Sequence, residues 1–450
     1  MTTITAPAPA ELPTATDDSE LARSTTARAS VRLLPFLFIL FICNYLDRTN
    51  ISIAALQMNH DLGFSARAYG FGSGIFFVGY ALFEVPSNVL LARIGARRWI
   101  SRIMVTWGLI AAAMMFVRTP LQFYALRVLL GVAEAGFFPG IVYYLSAWFP
   151  AAQRGRTLAW FMTAVPLSGA IGNPLSASLL ALNGQLGLTG WQWLFLLEGI
   201  PSVVLGLTVL VYLSDRPSDA RWLSLEQREW LAARLKLDDD TSRAPHGLSA
   251  LRALAQPAVV LASAVYFLAM TANYGYLFWA PTLVRNALQS SYAVTGVVTG
   301  LIAGAAALVM VIVATHSDRT RERYVHASTC LAIAALGYLG TALLPGAVAP
   351  VIALALLPIG VYGFLGPFWC LPSSWLRGTA AAAGIALVNS VGNVGGFVGP
   401  YAIGLATDLT GSATGAYLIL AALALGGAAL CVRMRASDLS SRAKRGICTS

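Results

Sequence analysis

Charge is what this sequence has least of. Only 11% of its 450 residues are Asp, Glu, Lys or Arg, against about 25% in soluble domains, which excludes an ordinary water-soluble fold with a charged surface. Cysteine chemistry is equally thin: Cys43, Cys330, Cys370, Cys431 and Cys448 show no C-x-x-C or metal-ligand spacing, and four of them lie in apolar stretches. They read as small buried hydrophobes plus one tail thiol. No metal, nucleophile or phosphate motif supports an enzyme, no cofactor is expected, and no sizeable domain outside the apolar stretches is left for a receptor. A short cleavable signal is missing too, because the first apolar run has full spanning length.

What is abundant is apolar. Hydrophobic residues make up 57% of the chain, with a mean hydropathy of +0.69. Runs of about 17 to 25 residues, each long enough to cross a hydrocarbon core of about 30 Å as a helix, recur at 33–56, 68–92, 100–117, 121–147, 157–182, 193–213, 258–280, 293–315, 325–344, 349–372, 381–406 and 414–434. The expectation is an all-α integral membrane protein of twelve transmembrane helices in two six-helix bundles. Its parts are a disordered tail (1–30), a first bundle (31–213), a linker with a short helix (214–257), a second bundle (258–434) and a basic tail (435–450). Within the linker, Ser224 and Gln227 have the spacing of a capping box, which predicts a helix over SLEQREWLAARL.

The net charge of +10 suggests a nucleic-acid partner only until the basic residues are placed. Arg93, Arg97, Arg98 and Arg102 follow span 2, Arg154 and Arg156 follow span 4, Arg319, Arg321 and Arg323 follow span 8, and Arg377 follows span 10. The alternate loops hold only Arg67, Arg118 and Arg285. Such a bias predicts that both termini are cytoplasmic. The halves also echo each other: ARIGARR follows span 2 where SDRTRER follows span 8, and SGAIGNP of span 5 answers GGFVGP of span 11. Internal repeats of this kind are the mark of a transporter, and small residues let its helices approach closely.

Against this apolar ground a few charges stand deep. A charge at the bilayer centre costs about 2.5–3.5 kcal/mol on insertion scales, so each needs a partner or a wet cavity. Asp47 and Arg48 sit in span 1, and Arg127 and Glu134 in span 4. Seven residues separate Arg127 from Glu134, which at 100° per residue places them within about 20° of one helix face, with Gly131 leaving a gap between them. That gap admits a ligand or a neighbouring helix. Asp47 and Arg48 point about 100° apart, so at least one looks elsewhere for a partner. As glue alone the cluster is expensive, since desolvation cancels much of the attraction. Glu84 lies toward the end of span 2, where an Arg of the neighbouring turns could pair with it, and Glu198 of span 6 reads as a packing or gating contact. The second half has no acid or base at mid-depth; it offers Asn273, Tyr274, Tyr276, Asn389, Ser390 and Asn393. Charge recognition and proton exchange thus fall to the first half, and shape and neutral hydrogen bonding to the second.

NYLDRTNIS (44–52), GYALFEVPSNVLL with ARIGARRW (79–99), RVLLGVAEAGFFPG (127–140), WLFLLEGIP (193–201), SDRTRER (317–323) and GTAAAAGIALVNSVGNVGGFVGP (378–400) together resemble the major facilitator superfamily over about residues 31–434. More narrowly, they resemble its anion:cation symporters of the bacterial organic-acid type, which carry tartrate, phthalate, hydroxyphenylacetate or galactonate. The resemblance implies the two-bundle fold, alternating access and proton-driven uptake of an organic anion. It implies Asp47 and Glu134 as proton carriers, Arg48 and Arg127 as anion contacts, and Tyr80, Asn273 and Tyr274 as cavity-lining residues; Tyr45, Asn389 and Asn393 join them as candidate substrate contacts. Arg93, Arg97, Asp318, Arg319 and Glu84 fall to gating. Two departures stand out. Ala92 occupies a turn position where the superfamily usually has an acid, which Asp318 retains in the second half, and GWQWLF carries Gln192 where relatives often have Arg, which predicts a weaker outer-gate contact.

The expected protein is therefore a monomeric carrier in the inner (cytoplasmic) membrane, whose partners are protons, a small organic anion and the lipid bilayer, with no nucleic acid. The alternative is a proton-coupled exporter of drugs or metabolites. Exporters of the superfamily tend to carry G-x-x-x-G-P in span 5, whereas here Gly395, Gly399 and Pro400 place it in span 11.

Overall fold

A computed structural model describes residues 15–242, 256–372 and 378–444, and among them no strand occurs. Twelve helical rods follow one another. In the first half they are α1 (Ala15–Thr49, resuming as Ile51–Leu62), α2 (Ala66–Ile94), α3 (Ala96–Ala113), α4 (Pro120–Glu134, resuming as Phe137–Ser146), α5 (Ala151–Met162 and Ala164–Leu179) and α6 (Gly190–Tyr212). The second half holds α7 (Pro257–Leu288), α8 (Tyr292–Thr320), α9 (Arg323–Leu343), α10 (Val348–Trp369), α11 (Gly378–Thr410) and α12 (Thr414–Lys444). Eleven of the described helices are long and apolar enough to cross a bilayer. Outward-facing Leu82, Val211, Leu301 and Ile352 are between 65% and 84% exposed. An apolar belt of that kind is stable only against lipid, so the chain is a multi-pass membrane protein.

The halves repeat one packing scheme. α3 packs on α6 as α9 packs on α12, and α2 on α4 as α8 on α10. Without a hydrophobic force to bring helices together in lipid, close backbone contact does that work. Gly108 and Gly199 show it reciprocally, since a Cβ on either would stand within 2.9 Å of the other's carbonyl oxygen. Between the halves the scheme repeats again, α2 lying on α11 as α8 lies on α5. A Cβ on Gly70 would meet the Pro400 carbonyl oxygen at 2.5 Å, and one on Gly300 the Ala170 carbonyl oxygen at 2.9 Å. Both contacts sit toward the end of the molecule opposite the start of α1 at Ala15 and the end of α12 at Lys444, hereafter the far end. There the Tyr69 hydroxyl donates to the Phe278 carbonyl (2.7 Å) and the Arg67 amide to Asp408 (3.0 Å).

Two expectations need correction. Residues 1–30 were expected to be a disordered tail, yet α1 begins at Ala15, and Thr25 and Ala29 are fully buried. Their cover comes from the start of the linker: Arg28 donates to Gln227 (3.1 Å), Arg32 lies over the rings of Tyr212 and Trp222, and Tyr212 donates to the Arg32 carbonyl (3.0 Å). The linker helix is also longer than its capping box implied, running Leu225–Ser242, although Ser224 and Gln227 do exchange the two capping bonds at 3.2 Å. Residues 1–14, Arg377, Cys448 and the side chain of Arg156 lie outside the described residues.

Candidate functional site

α1 carries polar residues on two faces. Asn44 and Arg48, one turn apart, turn toward α4, while Asp47 turns toward α3 and α6. Arg48 forms an ion pair with Glu134, its Nε donating to Oε1 at 2.8 Å and its Nη2 to the same oxygen. Asn44 Nδ2 adds a third bond to that oxygen at 2.6 Å. The other oxygen, Oε2, is buried without a partner. Glu134 is the last residue of its helical segment: the chain breaks at Ala135 and Gly136, whose φ of +85° suits glycine, before α4 resumes. Glu134 is fully buried, whereas the Arg48 side chain keeps 12% exposure.

Aromatic rings frame that guanidinium. Its central carbon lies 5.1 Å from the Tyr80 ring, 5.2 Å from Phe76 and 6.0 Å from Tyr45, a cation–π setting that holds a cation with few water contacts. From the second half Tyr274 comes within electrostatic reach of Arg48, and its ring packs on Phe77 at 4.3 Å between centroids. Asn273, beside it on α7, is buried with Oδ1 unpartnered. Asn389 of α11 donates to Glu84 across the halves at 3.3 Å, and Asn393 sits half-buried one turn further on. Tyr45, Tyr80, Tyr274 and Asn389 are thereby gathered around one interface.

Asp47 stands apart from this cluster. Its Oδ2 accepts from Trp107 Nε1 of α3 (2.9 Å) and from the Ser202 hydroxyl of α6, and Oδ1 has no partner. Arg127 departs further from expectation. Placed at the anion by resemblance, it is 1% exposed and donates to the α2 carbonyls of Gly72 (3.2 Å) and Ser73 (3.1 Å), with Phe76 and Phe278 rings against it. The gap at Gly131 is likewise taken by a helix: a Cβ there would stand 2.1 Å from the Phe76 carbonyl oxygen. The polar face of α4 is therefore split, its Arg127 end tied to α2 and its Glu134 end committed to Arg48.

Glu84 belongs to the same interface, bonding Asn389 rather than an Arg of the turns and standing within electrostatic reach of Arg48. The remaining residues fall outside the site. Arg97 is held within its own half, its amide and guanidinium both on Asp215 (2.8 and 3.7 Å), so an acid serves that turn although Ala92 does not supply it. Asp318 meets Arg323 at 3.8 Å, also within one half, while Arg93 and Arg319 are exposed. Gln192, expected at an outer gate, instead caps α6: its Oε1 accepts from the Thr189 amide at 2.9 Å, and its Nε2 donates to the Met115 carbonyl. Glu198 accepts from Ser176 at 2.6 Å. The sequence reading missed Asn44, Trp107, Ser202 and Tyr362, the last in contact with Tyr45. Only Asn44 carried a signal, its spacing of four from Arg48.

Two alike six-helix halves closing on a buried ion pair are the architecture of a membrane carrier. The chain belongs to the Major Facilitator Superfamily, which it matches over residues 37–400. It is 46% identical over 409 residues to a protein of Agrobacterium vitis named for tartrate transport, covering 90% of this chain and 93% of that one. A quinolone resistance transporter of Acinetobacter baumannii is 40% identical over 390 residues, covering 86% of this chain and 90% of the other. Among solved structures, a bacterial homologue of the human lysosomal transporter Spinster aligns with a TM-score of 0.70 at 17% identity, over 91% of this chain and 95% of that one. The xylose transporter XylE of E. coli aligns at 0.69 and 13%, over 91% and 98%. At such identities the likeness concerns the fold.

Proposed function

We propose that the protein is a proton-coupled symporter that takes up a small organic anion by alternating access, in the inner membrane and with both termini cytoplasmic. The observation that carries this reading is the Arg48–Glu134 pair, in which a partly exposed arginine side chain is held by a buried carboxylate with one idle oxygen. A substrate carboxylate binding Arg48 competes with Glu134 for the same donors. Once displaced, Glu134 is a buried charge without its cation, and taking up a proton removes that cost. Anion and proton therefore assist each other's binding, and linkage makes the assistance mutual. Each unit of pH difference then supplies about 1.4 kcal/mol per proton, and 100 mV about 2.3 kcal/mol per net charge moved.

Asp47 is the second proton carrier in this scheme. Arg127, tied to α2 carbonyls, acts as framework for α4 and not as an anion contact. Tyr45, Tyr80, Tyr274, Asn273, Asn389 and Asn393 supply hydrogen bonds and ring faces to the rest of the substrate, which is a hydroxy-dicarboxylate, a sugar acid or an aromatic acid. The relative named for tartrate supports the first of these. Export in exchange for protons is the second reading, favoured by the quinolone resistance relative. Purified protein in liposomes, given labelled tartrate and a panel of sugar and aromatic acids under an inward proton gradient, tests both. Symport predicts uphill uptake that collapses when the gradient is dissipated; uptake driven only by an outward proton gradient selects export.

A further inference from the structure

We propose that Glu198 binds a proton of the transport cycle, forming with Asp47 a two-carboxyl proton site in the seam between α1 and α6, outside the substrate cavity. The inference rests on the proton-coupled reading above. α1 and α6 run antiparallel here, and their polar residues are spaced to meet in two rungs. Asp47 and Asn50 stand three apart on α1, at the break where its first segment ends, and Glu198 and Ser202 stand four apart on α6. Ser202 donates to Asp47, and the side chain of Asn50 lies beside Glu198. Residues three or four apart share a helix face, so the second rung puts Glu198 one turn nearer the far end than Asp47.

The groups in this seam are buried and underused. Asp47, Asn50 and Glu198 are 2%, 3% and 6% exposed. Asp47 Oδ1 and Glu198 Oε2 both lack hydrogen-bond partners, a state that buried polar groups rarely keep, and the Asn50 side chain is offered toward Glu198. Around Glu198 stand Ser176 of α5, Asn50, Asp47 and Cys43 of α1, and Gly108 of α3 across from Gly199. Asp47 bonds Ser202 and Trp107, with Glu198 and, more distantly on the other face of α1, Glu134 within electrostatic reach. None of these is a cation, and the guanidinium next in sequence to Asp47 is engaged with Glu134 on the other face. Two carboxylates without a cation are costly in a dry seam, and a proton bound to either relieves both. Protonation turns one carboxylate oxygen into an O–H donor, and the idle oxygens Asp47 Oδ1 and Glu198 Oε2 are free to carry that proton.

The test uses full-length protein in liposomes, with the acid from a panel headed by tartrate that the wild type accumulates best. Two readouts separate the roles: counterflow exchange without a pH gradient, and the steady accumulation ratio at an imposed gradient. Glu198→Gln is expected to keep counterflow within about twofold and to lose one proton per anion, so that accumulation falls about tenfold for each unit of pH difference. Ser176→Ala, which spares the carboxyl, is expected to move the pH at half-maximal accumulation without changing the limiting ratio. If Glu198→Gln does not insert, proton titration of the purified protein stands in: Glu198→Asp is expected to displace one titration step relative to wild type, and an unchanged curve refutes the site. Wild-type accumulation in Glu198→Gln would make Glu198 a packing residue and overturn the proposal while leaving symport intact. A wild type that exchanges but never accumulates would overturn symport itself.

Discussion

The first half buries Asp47, Glu84, Arg127, Glu134 and Glu198, whereas the second buries, among its described polar residues, only Ser263, Thr271, Asn273, Thr295, Thr299, Ser317 and Thr341. Yet the helices pack in the same scheme on both sides, down to the pairs that join the halves. Since packing is shared and charge is not, the charges are not what the fold requires. A half without a single buried ion pair among its described residues adopts the same packing scheme, in keeping with the small net stability that such pairs bring. The ionic residues of the first half, Arg127 apart, are therefore read as machinery, and the tyrosines and asparagines of the second as the wall against which it works.

This contrast can be broken by substitution. Arg48→Gln should have the largest effect, lowering anion affinity by about 100-fold or more because a desolvated charge contact is lost and Glu134 is left unpaired; equilibrium binding measures it. Arg48→Lys should recover only part, since a point charge does not reproduce the guanidinium fork. Arg127→Ala should act on stability instead, costing about 2–3 kcal/mol through two lost bonds and a vacated core position. A lower Tm in detergent with anion affinity changed less than in Arg48→Gln is the expected pattern, and the reverse pattern would return Arg127 to the substrate. In the second half, Asn389→Ala removes one cross-half bond to Glu84 and should cost about 0.5–1.5 kcal/mol, seen as a change of less than about tenfold in affinity.

A separate substitution probes the junction of the halves. Gly300→Val should prevent α8 from lying on Ala170 and Pro174. Cysteines placed at the far end should then become more reactive to a water-soluble thiol reagent than in the parent protein, and unaltered reactivity would show that the contact yields.

Much of this was legible in the residues. Length and hydropathy located the rods because a bilayer leaves helices little freedom, and the cost of a buried charge singled out Asp47, Arg48, Arg127 and Glu134 before any coordinates. Their pairing was not legible. Asp47 and Arg48 are neighbours in sequence but diverge, and only the packing of α3, α4 and α6 decides that one meets Trp107 and Ser202 and the other Glu134. The partners of Arg127 were hidden for a deeper reason: they are backbone carbonyls at Gly72 and Ser73, which leave no mark on the side-chain sequence. The helix over residues 15–30 was hidden by composition, since its burial depends on Tyr212, Trp222 and Gln227, nearly two hundred residues away. Gln192 is the contrary case. Thr189 and Gln192 have capping-box spacing, and comparison with an outer gate obscured a signal that was in plain view.

The competition for Arg48 is tested most directly by counting protons as the anion binds. Purified wild-type protein in weakly buffered detergent solution, mixed with a saturating transported acid, should take up protons from the medium, and Glu134→Gln should bind the same acid with that uptake reduced by about one proton per anion. Anion binding at full affinity with no proton uptake by the wild type, or with uptake unchanged in Glu134→Gln, would contradict the account.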